Sequence, residues 1–280
     1  MREFSNSDVA ARVPLPALVD EVDRCLSDLG TGAASQLPKA ALPFAGDGFF
    51  LTVAGIVPRL GLATAKWASY KPGASGAPGT STSTIIASDA TTGEPRAAIL
   101  GMWATHARTA ATAVAVARRW ATIDAHRLAF VGFGPTNRAV LETLDALDWT
   151  LPEVAIAVRS NESAQRLRSE FAELGRNVCV TTDVAEAVRG ADLAISATGS
   201  RTSVANVTEL ATGGIAISLD GSATWKLAET TVAVNDRALG LAELFASTPG
   251  ATACPTFFDI AGSAVTDVAL AAILLGGEAA

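Results

Sequence analysis

The chain has 280 residues, of which 49% are hydrophobic and 18% charged; this balance is typical of a protein with a buried core and excludes a disordered chain. Its net charge of −7 argues against nucleic acid as a partner, because binding a phosphate backbone needs a basic face. No segment approaches the roughly 18 apolar residues of a membrane span, and the first residues lack the apolar run of a secretion signal. We therefore expect a cytoplasmic protein with no membrane partner.

The cysteines and histidines are too few and too scattered for a metal centre. Cys25, Cys179 and Cys254 are far apart and form no Cys-x-x-Cys pair, and His106 and His126 are the only imidazoles. We predict no metal site and no disulfide framework, and interpret the cysteines as small apolar residues.

The first third of the chain has α+β character. Apolar residues recur at helical spacing over 7–29, which predicts an opening helix interrupted near Pro14. Strands are predicted at 48–53, 61–67, 83–88 and 95–100, with a Gly-, Ser- and Pro-rich loop over 70–82 and an Ala-rich helix over 106–121.

From Arg127 onward strands and helices alternate. The predicted strands are 128–131, 154–158, 178–181, 193–196, 215–219 and 231–234, separated by helices such as 138–147 and 163–174, and a last helix covers 259–275. Nearly continuous apolar runs of this kind predict a parallel sheet that is covered on both faces. The predicted fold class is therefore α/β: a Rossmann-type, doubly wound parallel sheet over 122–258, plus an N-terminal α+β domain over 1–121 to which the C-terminal helix, 259–280, returns.

A glycine turn lies between the first strand and the first helix of this sheet. Gly132-Phe-Gly134 stands where a dinucleotide-binding fingerprint requires it. Gly132 permits the tight turn, and Gly134 lets the backbone approach a pyrophosphate at the helix N-terminus, where Pro135 and Thr136 open the helix. The third glycine position carries Asn137, which departs from the fingerprint.

The residues after the second strand indicate which dinucleotide binds. NAD-selective proteins carry an acidic residue here, whereas this chain has Arg159 and Ser160. Arg159 can hold a 2′-phosphate with a charge-assisted fork, and Ser160 can donate a further hydrogen bond. We therefore favour NADP(H) over NAD(H).

Several motifs along the chain resemble those of the ornithine cyclodeaminase/mu-crystallin family. They are Asp89-Ala-Thr-Thr-Gly-Glu-Pro95, Arg108-Thr-Ala-Ala111, Val131-Gly-Phe-Gly134, Ala197-Thr-Gly-Ser200 and Gly262-Ser-Ala-Val-Thr-Asp267. The resemblance implies a homodimer whose N-terminal domain builds the substrate site and the dimer contact. It also implies hydride exchange at an amino-acid α-carbon, and it adds Thr198 to the cofactor site.

The resemblance also identifies three basic residues for the α-carboxylate of a small amino-acid-like or imine substrate. Lys39, Lys66 and Arg108 fall where the family carries carboxylate-binding bases, and converging cations suit such a group. Lys39 replaces the more usual arginine, so it would bind as a point charge without a bidentate fork. Lys66 is also assigned to catalysis.

The family's catalytic aspartate has no clear counterpart. Aligning Gly221 with the family glycine puts Ser222 or Ala223 at the aspartate position, and Asp220 lies two or three residues early. Either Asp220 takes the role from a shifted position, or the acid is absent and ornithine cyclisation is disfavoured.

This departure favours an NAD(P)H-dependent oxidoreductase that interconverts an amino acid and its imine. The alternatives are a cyclodeaminase-like lyase that recycles bound NAD, and an inactive NADP-binding protein like mu-crystallin.

Overall fold

The computed structural model describes residues 1–44, 46–73, 79–121, 125–149, 152–219, 223–235, 240–246, 255–260 and 262–276. The chain divides into two compact units. The first unit comprises Met1–Thr112, Arg237–Ser247 and Gly262–Ala280, and the second comprises Ala113–Asp236 and Thr248–Ala261. The division falls inside the helix Trp103–Trp120 and not at the predicted boundary after residue 121.

The elements up to that helix are β1 Arg2–Phe4, α1 Asn6–Arg12, α2 Leu15–Gly30, β2 Ser35–Gln36, β3 Ala40–Phe44, β4 Gly48–Val57, β5 Leu62–Lys71, β6 Thr80–Asp89, β7 Pro95–Leu100 and α3 Trp103–Trp120. The later elements are β8 Arg127–Val131, α4 Pro135–Ala146, β9 Glu153–Ala157, α5 Asn161–Glu173, β10 Cys179–Thr181, α6 Val184–Val188, β11 Leu193–Ser196, β12 Ala205–Asn206, β13 Ile215–Ser218, β14 Trp225–Lys226, β15 Val232–Asn235, α7 Gly240–Phe245, β16 Thr256–Asp259 and α8 Ala264–Leu274.

The first unit is a mixed sheet with helices packed on it. Its strand order is β1-β7-β6-β5-β4-β2, with β3 also paired to β4; β1 and β7 are parallel and the other pairs antiparallel. Helix α8 packs on β4, β5 and α2. The predicted interruption of the opening helix is confirmed: α1 ends at Arg12, and Pro14 directly precedes α2, where its fixed φ suits a helix start.

The predicted loop over 70–82 is too long. β5 continues to Lys71 and β6 begins at Thr80, so that Tyr70 pairs with Ser81. In the neighbouring pair, the Ser69 and Thr82 hydroxyls hydrogen-bond to each other at 2.7 Å, and the Tyr70 ring stacks on Phe49. Cross-strand pairs of this kind extend a hairpin beyond what its composition predicts.

The second unit is the predicted doubly wound sheet. Its strands run β10-β9-β8-β11-β13-β16-β15, and all pairs are parallel. The order reverses at β8, since β9 lies on one side of it and β11 on the other, as in a Rossmann fold. The α/β fold class is confirmed, and the carboxyl ends of β8 and β11 lie side by side at the switch point.

The C-terminal segment differs from its prediction. Asp259, predicted to open a helix, is instead the last residue of a strand that was not predicted, β16, whose Phe257 and Phe258 are buried between β13 and β15. Helix α8 begins only at Ala264, after Gly262 at φ +95°. β16 has four residues, too few to show a periodic pattern, which is why the sequence did not predict it. Within the described residues, no helix is long and apolar enough to cross a membrane.

Candidate active site

The first unit contains a buried cluster of two cations and one carboxylate. The Lys66 ammonium hydrogen-bonds to Asp267 Oδ1 at 3.2 Å and lies 3.0 Å from Oδ2. The Arg108 Nε lies 3.1 Å from the same Oδ1. Lys66, Arg108 and Asp267 are 2%, 5% and 0% exposed. The three side chains therefore form one ion cluster that is shielded from solvent.

Each residue reaches the cluster from a different element. Lys66 belongs to the face of β5 that α8 covers, because alternate residues of a strand point to the same side and its neighbours Thr64 and Ala68 are also buried. Arg108 lies in the Ala-rich α3, and Asp267 is the only charged residue in the apolar α8. A carboxylate buried in such a helix needs cations beside it, and Lys66 and Arg108 supply them.

Burial and neighbouring charges strongly perturb Lys66. Loss of solvation, together with repulsion from Arg108, lowers the pKa of Lys66 from 10.5 to about 8, against the opposing attraction of Asp267. Lys39 adds to the repulsion. The three residues predicted to bind one substrate carboxylate therefore lie within electrostatic reach of one another, with Lys66 affected by both Arg108 and Lys39. Burial also lowers the pKa of His106 and raises that of Tyr70, and the charge of Arg108 acts on both.

The segment before α8 forms one wall of the cluster. Gly262 has φ +95°, and a Cβ placed there would lie 2.4 Å from Arg108 Nη1. The Arg108 guanidinium therefore packs directly on this backbone, in space that only glycine leaves free. The N-terminus of α8 is held by Gln36 of β2, whose Oε1 accepts from the Ala264 N–H at 2.8 Å and from the Ser263 hydroxyl.

The predicted glycine turn lies at the switch point of the second unit. Gly132 has φ +77°, and a Cβ there would lie 2.6 Å from the Ala197 carbonyl oxygen. Gly134 is the N-cap residue of α4 and has no side chain to cap the helix, and a Cβ at this position would meet open space. The first turn of α4, entered through Pro135 and Thr136, therefore presents backbone N–H groups without a side-chain cap. A helix start of this kind fits a phosphate.

Asn137 compensates for the missing third glycine. Its side chain is fully buried and its Nδ2 donates to the Gly132 carbonyl at 2.7 Å. A weaker contact reaches the Ile195 carbonyl in β11 at 3.5 Å. Asn137 thus links the turn to the neighbouring strand. A glycine at this position would instead have allowed the helix to pack closely on the strand.

The other predicted cofactor residues also follow strands of this sheet. Arg159 is exposed after β9 and, among the described residues, has no hydrogen bond or ion pair. Ser160 is the N-cap of α5, and its hydroxyl accepts from the Ser163 N–H at 3.2 Å. Thr198, after β11, accepts from the Ser200 N–H and pairs with the Thr224 hydroxyl at 2.9 Å.

Two residues of the site were not predicted, and one predicted residue cannot be placed. Asp267 and Gly262 were recognised only as parts of a motif; the available signal was a lone acid in an otherwise apolar helix. Asp220 lies outside the described residues.

The fold is similar to several solved structures. An archaeal alanine dehydrogenase dimer with bound NAD has a TM-score of 0.85 at 22% identity, covering 99% of this chain and 95% of that one. The Thermococcus litoralis Δ1-pyrroline-2-carboxylate reductase, in complex with NADH and L-proline, has a TM-score of 0.84 at 20% identity, covering 99% and 97%. The Paracoccus denitrificans iminosuccinate reductase, in complex with NAD+, has a TM-score of 0.83 at 18% identity, covering 99% and 96%.

Among curated protein sequences, none matches this chain. The family model of the ornithine cyclodeaminase/mu-crystallin family, by contrast, matches residues 4–238. This range includes the glycine turn as well as Lys66 and Arg108. The chain therefore belongs to the ornithine cyclodeaminase/mu-crystallin family.

Proposed function

We propose that this protein is a nicotinamide-dependent oxidoreductase that interconverts an amino acid and its imine. The observation that carries the proposal is the charge of the buried cluster. Lys66 and Arg108 share one carboxylate, Asp267, so the described cluster retains one positive charge when Lys66 is protonated. A buried cation without a counter-ion is costly, and a substrate α-carboxylate would supply the missing negative charge.

The substrate carboxylate would bind the two cations in different ways. Arg108 Nη1 is buried and has no hydrogen-bond partner among the described residues, so it is available as a donor. Lys66 adds a point charge beside it, and Lys39 strengthens the positive field.

Lys66 also suits proton transfer. Reducing a C=N bond to CH–NH takes up one hydride and one proton, and a bound reduced nicotinamide supplies the hydride. A group with a pKa of about 8 is protonated at neutral pH yet releases its proton readily, so Lys66 can donate to the imine nitrogen.

Asp220 is the second candidate for proton transfer. Asp220→Asn should abolish turnover and preserve carboxylate affinity. Unchanged turnover would exclude it.

The glycine turn and the first turn of α4 support nicotinamide dinucleotide binding, with Gly132, Gly134, Pro135, Thr136 and Thr198 around the pyrophosphate.

We propose NADP(H) over NAD(H), because the exposed Arg159, next to Ser160, follows β9 where an acidic residue would select NAD. The three similar structures described above hold NAD or NADH, which favours the opposite preference. Dissociation constants for NADPH and NADH, measured on wild type and Arg159→Ala, decide between them. Tighter binding of NADH by the wild type would overturn the preference.

We propose that the protein forms a homodimer through the face of the first unit's sheet that α8 does not cover. Leu42 and Trp67 on this face are 56% and 46% exposed, beside Leu37 at 67%. A groove of roughly 490 Å³ runs between Leu37 and Ile86 on the same sheet. Exposed apolar patches of this kind mark protein interfaces, and the similar alanine dehydrogenase is a dimer.

Light scattering should give the mass of two chains. Trp67→Glu should reduce it to one, whereas Leu174→Glu, at an exposed leucine of the second unit, should leave it unchanged. A monomeric wild type would refute the dimer.

One assay separates the candidate activities. The protein is mixed with NADPH or NADH and either Δ1-pyrroline-2-carboxylate or pyruvate with ammonia, and absorbance at the reduced nicotinamide band is followed. Consumption of the reduced cofactor supports the proposal. Ammonia release from L-ornithine without net cofactor change supports a lyase, and cofactor binding without turnover supports a binding protein.

Arg108→Met tests the carboxylate site within the same assay. It should lower kcat/KM by at least about tenfold, the effect of one charge-assisted hydrogen bond. The control Arg96→Met, in β7, should leave kcat/KM unchanged. Equal activity of the two variants would contradict the assignment of Arg108.

A further inference from the structure

The C-terminal helix α8 carries its single charge at a position where it contacts both cations of the cluster. Its other side chains are Ala, Val, Leu, Ile and Thr, so the helix itself supplies no cation for a carboxylate. Asp267 is fully buried, and an isolated ion there would be strongly destabilising. Among the described residues, it forms ion pairs with Lys66 and Arg108. The Asp267 carboxylate is therefore stabilised by these two side chains and not by the apolar packing of the helix.

The backbone around Asp267 is fixed with respect to the sheet. Gln36 holds the first N–H of α8, and a Cβ on Gly55 of β4 would lie 3.0 Å from the Ala264 Cβ, so strand and helix are in close contact. Gly262 leaves the space in which the Arg108 guanidinium lies. The segment from Gly262 to Asp267 thus reaches Arg108 at both of its ends.

We propose that Asp267 is a positioning residue, which holds Lys66 and Arg108 side by side as a pair of charged groups ready for the substrate carboxylate. The inference rests on the proposed function for the identity of the bound group. The ordering of the two cations by Asp267 can be measured without any substrate.

The physical reason is the repulsion between the two cations. A guanidinium does not lose its proton in proteins, whereas a buried lysine readily does, so the protonation of Lys66 is what the repulsion changes. Burial disfavours the protonated Lys66 most, the charges of Arg108 and Lys39 disfavour it further, and Asp267 favours it. Without Asp267, Lys66 would lose its proton near neutral pH and would no longer attract a carboxylate.

The chain allows a direct measurement, because it contains only four lysines: Lys39, Lys66, Lys71 and Lys226. Protein labelled with ¹³C at lysine Cε gives four signals whose shifts are followed against pH, and the Lys66 signal is assigned by its loss in Lys66→Met. In Asp267→Asn the Lys66 pKa should fall by about 1 to 3, as expected on removing an opposite charge in contact.

The matched control is Thr266→Val, in the same helix. The Thr266 hydroxyl donates to the Ser263 carbonyl at 2.7 Å and is buried, so this variant also loses a buried hydrogen bond but removes none of the three charges. It should leave the Lys66 titration unchanged. Equal titration curves in Asp267→Asn and Thr266→Val would overturn the inference.

A second variant covers the case in which Asp267→Asn does not fold. Arg108→Met leaves Lys66 and Asp267 as a balanced pair, so the Lys66 pKa should rise towards its ordinary value. An unchanged Lys66 pKa in Arg108→Met would equally overturn the inference.

Binding of pyrrole-2-carboxylate, a carboxylate probe that is not an imine, separates this inference from the proposed function. Calorimetry on the wild type should show affinity falling about tenfold or more as pH rises through 8, and in Asp267→Asn the fall should come at lower pH. If the probe does not bind the wild type but the Lys66 pKa still moves in Asp267→Asn, Asp267 orders the cations and the proposed function fails. If the probe binds and the Lys66 pKa does not move, the proposed function stands and the role of Asp267 is refuted.

Discussion

Replacing Lys66 by methionine should make the protein more stable while removing its carboxylate affinity. Methionine has a similar length and no charge, and Asp267 keeps Arg108 as its partner. The fall of the Lys66 pKa from 10.5 to about 8 means that the protonated side chain is disfavoured in the folded state. At 1.36 kcal/mol for each factor of ten, this amounts to about 3 kcal/mol at pH 7.

The sign of the effect reverses the usual behaviour of a paired lysine. Because the folded-state pKa lies below the unfolded one, the destabilisation is fully present below pH 8. It diminishes as pH rises from 8 towards 10.5, where the unfolded chain also loses its proton. The stability gap between Lys66→Met and wild type should therefore shrink from about 3 kcal/mol at pH 7 to about 1 kcal/mol at pH 9.5.

Urea unfolding at several pH values measures this gap, and subtracting the wild-type curve cancels the titration of all other groups. Lys71→Met, at the exposed end of the same strand, is the control and should change the unfolding free energy by less than about 0.5 kcal/mol. The reasoning is refuted if Lys66→Met is less stable than the wild type at pH 7, or if the gap does not depend on pH.

Three further substitutions test the backbone and hydrogen bonds of the two sites. Gly262→Ala places a Cβ against Arg108 at a φ of +95°. The affinity for pyrrole-2-carboxylate should fall at least about tenfold, and the unfolding free energy should fall by about 1–3 kcal/mol. An affinity equal to that of the wild type would contradict the packing of Arg108 on this backbone. Gly132→Ala, with its Cβ 2.6 Å from the Ala197 carbonyl oxygen, should abolish nicotinamide binding measured by NADPH fluorescence, and retained binding would show that the turn is not the cofactor site. Asn137→Ala leaves the Gly132 carbonyl without its donor at 2.7 Å. The unfolding free energy, measured by urea denaturation, should fall by about 1–3 kcal/mol. An unchanged urea midpoint would mean that another donor replaces this hydrogen bond.

Local sequence patterns were sufficient for every strand of the second unit's seven-stranded sheet except β16. Short apolar runs separated by amphipathic stretches predicted β8, β9, β11 and β13 within a residue or two at each end. The glycine turn was equally local, because its strand and helix flank it directly and a positive φ demands glycine. These features depend only on residues that are neighbours in the sequence, so the sequence alone is enough to predict them.

Patterns failed where two structures have the same local signature. β16 was not predicted as a strand, and its last residue, Asp259, was assigned to a helix; the ends of β5 and β6 were assigned to a loop. Apolar or Ser/Thr-rich runs do not themselves specify a partner strand. Pairing with β13 and β15 makes β16 a strand, and pairing between β5 and β6 extends both strands of their hairpin.

The sequence by itself determined the fold class, the glycine turn and the basic residues Lys66 and Arg108. It did not reveal that Asp267 joins them, because the Lys66–Asp267 contact links residues 201 positions apart. Only the packing of α8 on β4 and β5 brings that carboxylate to the two cations, and only the path of the backbone at Gly262 makes room for the guanidinium. A charge pattern identifies ions that need partners, whereas the choice of partner depends on which elements are packed together, and that was decided by the tertiary structure.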